Sequence, residues 1–129
     1  PEGHHELAHR GNSDEDAQTK LVKINTWYAE QFAYLIAKLK SIPEGDGSVL
    51  DNTLLIWVNE HSRGNNHDRN NIPYVLAGKA GGAVLPGRWL QVEGSVPHNN
   101  LLVGCMQAMG LPATTFGYSD YCTGALHLG

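Results

Sequence analysis

The chain reads as an α/β protein, and three observations carry that reading. Apolar residues recur at helical spacing from Leu21 to Ile42. Two short, continuous apolar blocks of strand length follow, at 53–58 and 72–77. A second helical pattern, 101–109, comes after them. Helix, buried strand, polar loop, buried strand and helix is the order of a layered α/β unit.

Residues 1–16 are polar and read as loop, with Gly11-Asn12-Ser13 as a breaker. Ser13 is a candidate N-cap, and Asp14, Glu15 and Asp16 place carboxylates near the positive end of the helix that follows. Leu21, Ile24, Tyr28, Phe32, Leu35, Leu39 and Ile42 then repeat every three or four positions, an amphipathic helix of about six or seven turns. Pro43 stops it. Residues 43–52 form a turn-rich connection to Thr53-Leu54-Leu55-Ile56-Trp57-Val58, whose unbroken apolar character predicts a strand buried on both faces. Residues 59–68 are a polar loop, and 72–77 are the second buried strand. Gly78 to Gly87 is a glycine-rich loop, and Arg88 to Val92 is read as a short strand. Leu101 to Met109 is the C-terminal helix, ended by Gly110 and Pro112. Trp27, Trp57 and Trp89 form no stripe and are expected in core or rim packing.

The 129 residues suffice for one α/β unit spanning 1–129. The hydrophobic fraction of 41% and charged fraction of 17% are those of an ordinary folded chain. Nine basic and thirteen acidic residues give a net charge of −4, with no basic stripe, which argues against a nucleic-acid partner. No apolar run approaches the length of about eighteen residues that a membrane span needs. Cys105 falls in an apolar helical pattern and is expected to be a buried thiol, while the pairing of Cys105 and Cys122 stays open. The opening on a motif-rich segment, without an initiator methionine, suggests the C-terminal segment of a longer protein.

Seven histidines stand in the chain, three of them in the first ten residues. His5 and His9, four apart, lie on one face of a helix or close together in a turn, where two imidazoles can chelate one ion. With Glu6 they spell the H-E-x-x-H pattern of zinc proteases. The extended form of that motif fails, because Asn12 and Glu15 stand where glycine and histidine are required. Glu30 is the remaining candidate for a third protease ligand.

A second group, Glu60, His61 and His67, follows the first buried strand, where functional loops of open α/β sheets gather. Carboxylate and imidazole in that position suit zinc or a harder divalent ion. Asp68, beside Asn70 and Asn71, is read as turn chemistry. His98 and His127 are read as structural or exposed. Gly78-Lys79-Ala80-Gly81-Gly82 lacks the ending of a phosphate loop and is set aside.

These motifs in this order resemble the alkaline-phosphatase-like superfamily of phosphatases, sulfatases and cofactor-independent phosphoglycerate mutases. More closely, the chain is similar to the C-terminal portion of a secreted bacterial family with a His-x-x-Ser-His-His hallmark. The stretches that carry the similarity are His5 to Arg10, Ile42 to Gly47 with Leu50-Asp51-Asn52-Thr53, and His67-Asp68 through Ile72-Pro73-Tyr74-Val75-Leu76-Ala77-Gly78. The resemblance spans nearly the whole chain.

It implies a partial alkaline-phosphatase-like fold and metal-dependent hydrolysis of a phosphate or sulfate ester. It also implies a secreted or periplasmic location. The implied metal ligands are His5, His9 and His67 for one divalent ion (zinc, manganese or calcium), and Glu60 and His61 for part of a second. Ala8 and Arg10 depart from the hallmark serine and histidine, and Glu60 and His5 stand where the catalytic enzymes carry aspartate. The nucleophile of those enzymes comes from an N-terminal strand region that has no counterpart in this sequence. The implied partners are a small-molecule ester and either the missing N-terminal part or a second copy. A non-catalytic binding or structural module with the same fold is the alternative, ahead of an H-E-x-x-H zinc protease.

Overall fold

A computed structural model describes residues 2–10 and 13–129. Most of the expected breaker, Gly11 and Asn12, therefore lies outside the described residues. The first element corrects the loop expected at the N-terminus, because His4–His9 form a short helix, α1. Its first turn is closed by the Gly3 amide, which donates to Glu6 Oε2 at 3.1 Å.

Helix α2 runs Glu15–Lys40. Its cap is Asp14 rather than the expected Ser13, since Asp14 Oδ1 accepts from the Ala17 amide at 2.9 Å. Glu15 and Asp16 occupy the first turn, as the sequence suggests. Leu21, Ile24, Phe32 and Leu39 are half-buried, whereas Tyr28 and Leu35 are exposed, so the apolar stripe is covered only along part of its width. The helix stops before Pro43, and Pro43–Glu44 (β1) pairs antiparallel with Gly47–Ser48 (β2) through the turn at Gly45-Asp46.

Leu55–Val58 (β3) pairs with Tyr74–Ala77 (β4), within the two apolar blocks of the sequence. The helices and small sheets make a mixed α/β architecture. The strands are not buried on both faces as expected. Leu55 and Trp57 are half-buried and Phe32 lies against Trp57, with ring centroids 5.6 Å apart. Ile56, Val58 and Val75, on the alternate positions, are exposed. Trp57 is the only tryptophan with the packing expected of all three, since Trp27 is exposed and Trp89 is 85% exposed.

The backbone divides into two compact units. One comprises Pro1–Lys38 and Ile56–Val75, the other Leu39–Leu55 and Leu76–Gly129. In the second, Val49–Asn52 is a 3₁₀ turn tied down by Asp51, which accepts from the Ser48 amide and hydroxyl and pairs with Lys79 at 2.8 Å. The Lys79 ammonium, then the Ser48 hydroxyl and amide, hold the Asp51 carboxyl far below the usual carboxylate range. Gly78, at φ +95°, lies where a Cβ would fall 2.1 Å from the Thr53 carbonyl oxygen. Only glycine fits there.

The predicted C-terminal helix is α3, His98–Ala108, which supplies Leu101, Val103 and Cys105 to the core beside Ala80, Val84 and Leu128. Burial pushes the Cys105 thiol up, as suits an inert core thiol, and both cysteines are free. The tail lies close on α3. The Leu126 amide donates to Asn100 O at 2.9 Å, and a Cβ on Gly104 would meet Leu126 O at 2.1 Å. Asn100, buried and polar, is satisfied on both ends of its amide by Thr123. Residues 88–92 are irregular rather than a strand. The Arg88 guanidinium binds the Leu85 and Leu128 carbonyls and holds this segment by its side chain, without a strand ladder. Among the described residues no helix is long and apolar enough to cross a membrane.

Candidate metal centre

Helix α1 and the loop after β3 both belong to the first unit. α1 carries His5 and His9 at i and i+4, on one face. The loop after β3 carries Glu60, His61 and His67. It is tied back on itself by the Ser62 amide donating to Asp68 O at 2.8 Å and by the Asp68 amide donating to Arg63 O at 3.1 Å. Asp68 does the turn chemistry expected of it, its carboxylate accepting from the Asn70 amide at 2.9 Å and the Asn70 side chain at 2.8 Å. The Asn70 amide is the chief cause of its depressed pKa. His67, inside this turn, takes φ +56°, a left-handed conformation that costs a residue with a Cβ about 1–2 kcal/mol.

Loop and helix meet at their smallest residues. A Cβ on Gly64 would stand 2.9 Å from Ala8 Cβ. One residue further along each segment, His9 Nδ1 lies 3.3 Å from the Asn65 carbonyl oxygen. A carbonyl only accepts, so Nδ1 is the donor in this bond; in a neutral ring that arrangement leaves Nε2 with its lone pair, as in a metal-ligating histidine.

Four imidazoles gather at this meeting point. Ring centroids are 4.5 Å apart for His5 and His9, 4.9 Å for His9 and His67, 4.9 Å for His61 and His67, and 6.3 Å for His5 and His67. A ligating ring nitrogen at about 2.1 Å puts the ring centroid about 3.2 Å from an ion, so rings sharing one ion at ordinary angles stand about 4.5–5.3 Å apart. Three of the four separations fall in that range. The fourth is wider, and the His61–His67 and His5–His67 pairs are stacked rather than convergent. Among the described residues no three ligating side chains present their donors to a common point as they stand. His5, His9 and His67 are exposed, whereas His61 is half-buried; exposed side chains change rotamer on the picosecond-to-nanosecond timescale.

The carboxylates divide. Glu60, with its side chain 84% exposed, lies 3.7 Å from His61 Nδ1 and stands at the rim of the cluster. Glu6, the general base of the protease pattern, is engaged with the Gly3 amide. His61 joins the same group of rings as His67, so the four imidazoles form one cluster. His98 opens α3 and His127 lies in the tail, both exposed and both in the second unit.

Two features of the site escaped the sequence reading. One is the Ala8–Gly64 approach, signalled only by two small residues 56 positions apart. The other is a group of charges anchoring α1. Arg10 pairs with Glu2 and reaches Asp16 at 3.4 Å and Asp14 at 3.7 Å, and Lys20 bridges Glu2 and Asp16 at 2.6 Å each. No family model, curated protein or solved structure matches this chain.

Proposed function

We propose that this chain binds one divalent transition-metal ion through His5, His9, His61 and His67, with Glu60 at the rim of the site. We infer further that the site belongs to an alkaline-phosphatase-like protein acting on phosphate or sulfate esters. One observation carries the metal reading. Four imidazoles drawn from positions as far apart as 5 and 67 gather with neighbouring ring centroids 4.5–4.9 Å apart. The donor set favours one of the expected ions. Calcium prefers six to eight oxygens and manganese carboxylate and water, whereas imidazole nitrogen suits zinc. Bound there, zinc would polarise an ester oxygen or lower the pKa of a bound water. The protein's own part is to hold the rings, with the His9 Nδ1 bond to Asn65 O orienting one of them.

Metal analysis of the purified, chelator-stripped and zinc-reloaded chain tests the reading. One equivalent of zinc is expected, and it should be lost in His9→Ala and His67→Ala. A wild-type chain that takes up none would sink the proposal.

A second reading, a metal-binding module without catalysis, is favoured by what stands at the two hallmark departures. Ala8 packs against Gly64, and Arg10 is committed to Glu2, Asp14 and Asp16. Turnover of p-nitrophenyl phosphate or sulfate by the zinc-loaded chain separates the readings. Activity that vanishes in His67→Ala supports the hydrolase, and zinc uptake without turnover supports the module.

A further inference from the structure

We infer that Gly64, through its contact with Ala8, is the positioning residue that brings the two halves of the histidine cluster together. This deepens the proposed metal function and rests on it for its consequence in affinity, but its geometric content stands without any metal. Glycine is usually placed by a left-handed φ, as Gly78 is. Gly64 has no such φ. What requires glycine there is space. A Cβ would lie 2.9 Å from Ala8 Cβ, 3.8 Å from Ala8 Cα and 3.9 Å from Ala8 O, all atoms of α1.

Ala8 sits one residue before His9 and three after His5, so its contact with Gly64 falls between two ligand candidates. On the loop, Gly64 lies three residues from both His61 and His67. Any side chain at 64 therefore levers α1 away from the loop at the centre of the cluster. The short approach also sets the 3.3 Å reach of His9 Nδ1 to Asn65 O, one residue along. Among the described residues, the ion pairs of Arg10 join the end of α1 to Glu2 and to the start of α2 and do not run to the loop.

A steric role predicts rescue by removing the opposing methyl group. Wild type, Gly64→Ala, Gly64→Val and the double variant Ala8→Gly/Gly64→Ala are compared by two measurements. The first is ring-to-ring nuclear Overhauser contacts of His5 and His9 with His67 in metal-free protein, with the Phe32–Trp57 contact as an internal control of folding. The second is cobalt(II) titration followed by its visible absorption. Gly64→Ala and Gly64→Val should lose the ring contacts while the Phe32–Trp57 contact persists. Cobalt affinity should fall by about 10–100-fold, as when a supporting residue of a metal site is removed. The double variant should recover both.

Ring contacts that persist in Gly64→Val, or that fail to return in the double variant, would overturn the inference. Should Gly64→Val not fold, the smaller Gly64→Ala and its rescue decide alone. A wild-type chain that binds no cobalt while the ring contacts follow the predicted pattern defeats the metal reading and upholds the positioning role.

Discussion

His67 is the residue where backbone strain and candidate function coincide. Its φ of +56° is one that a side chain with a Cβ adopts at a cost, and strain of this kind persists where the surrounding structure enforces it. The turn closed by Ser62, Arg63 and Asp68 is that surrounding structure, and the result is a ring 4.9 Å from both His9 and His61. Two substitutions separate strain from ligation. His67→Ala keeps the strain, whereas His67→Gly removes it and returns part of the gain as extra unfolded-state entropy. His67→Gly is therefore expected to be about 0.5–1 kcal/mol more stable than His67→Ala in thermal or urea unfolding, with zinc uptake lost in both. Equal stabilities would show that the left-handed backbone is not retained in solution. The residue types of the cluster were legible in the sequence, because imidazoles at i and i+4 and a histidine-rich loop after an apolar block are local patterns. The turn role of Asp68 was legible for the same reason. The steric role of Gly64 was not, since it depends on a residue 56 positions away.

At the scale of elements, α1 is the instructive case. Six residues are too few for a helix to persist alone. Its support comes from the buried Leu7 and from charges spread from Glu2 to Lys20, which no local periodicity reveals. α2 and α3, by contrast, were plain from their spacing and stop signals. The two strands were found to within about two residues, the ordinary limit for element ends. Their burial was misread because an apolar run states what a strand tolerates and not what covers it. The expected strand at 88–92 is not formed; the Arg88 side chain on the Leu85 and Leu128 carbonyls holds that segment in place of a ladder. The anchoring charges make α1 sensitive to pH. Glu2 and Asp16 both titrate below their ordinary values of 4.5 and 3.8, chiefly through hydrogen bonds from Lys20. A depressed folded-state pKa contributes stability that is fully present above the unfolded value and is lost as pH falls through the folded one. Amide chemical shifts of residues 4–9 should accordingly report a docked helix at neutral pH that frays below about pH 4. Lys20→Met should loosen the helix at neutral pH and shift the acid transition upward, while α3 stays unchanged. High salt should act in the same direction, because every one of these pairs faces water. An acid transition unmoved by Lys20→Met would show that the ion pairs do not hold α1.

For the whole molecule, the division into two units places all of the candidate ligands in one of them. A ligand that binds only the folded state stabilises it by about 2.7 kcal/mol at a hundredfold excess over its dissociation constant. Zinc bound at the proposed site would bring that free energy to bear first on the contact between α1 and the 59–68 loop. Both segments are exposed and short of buried apolar side chains, with Leu7 the single fully buried residue of α1. Such regions open locally at low cost, whereas α3 buries five residues and is held to the tail by the Asn100–Thr123 pair. Hydrogen exchange with and without zinc should therefore change unevenly. Amides of residues 5–10 and 61–68 should exchange markedly more slowly with zinc, and chelation should reverse the effect. Amides of residues 101–108 should exchange at the same rate in both states. Protection spread evenly over both units would mean that zinc acts on global unfolding. Protection confined to α3 and the tail would place the ion elsewhere and remove His5, His9, His61 and His67 as its ligands.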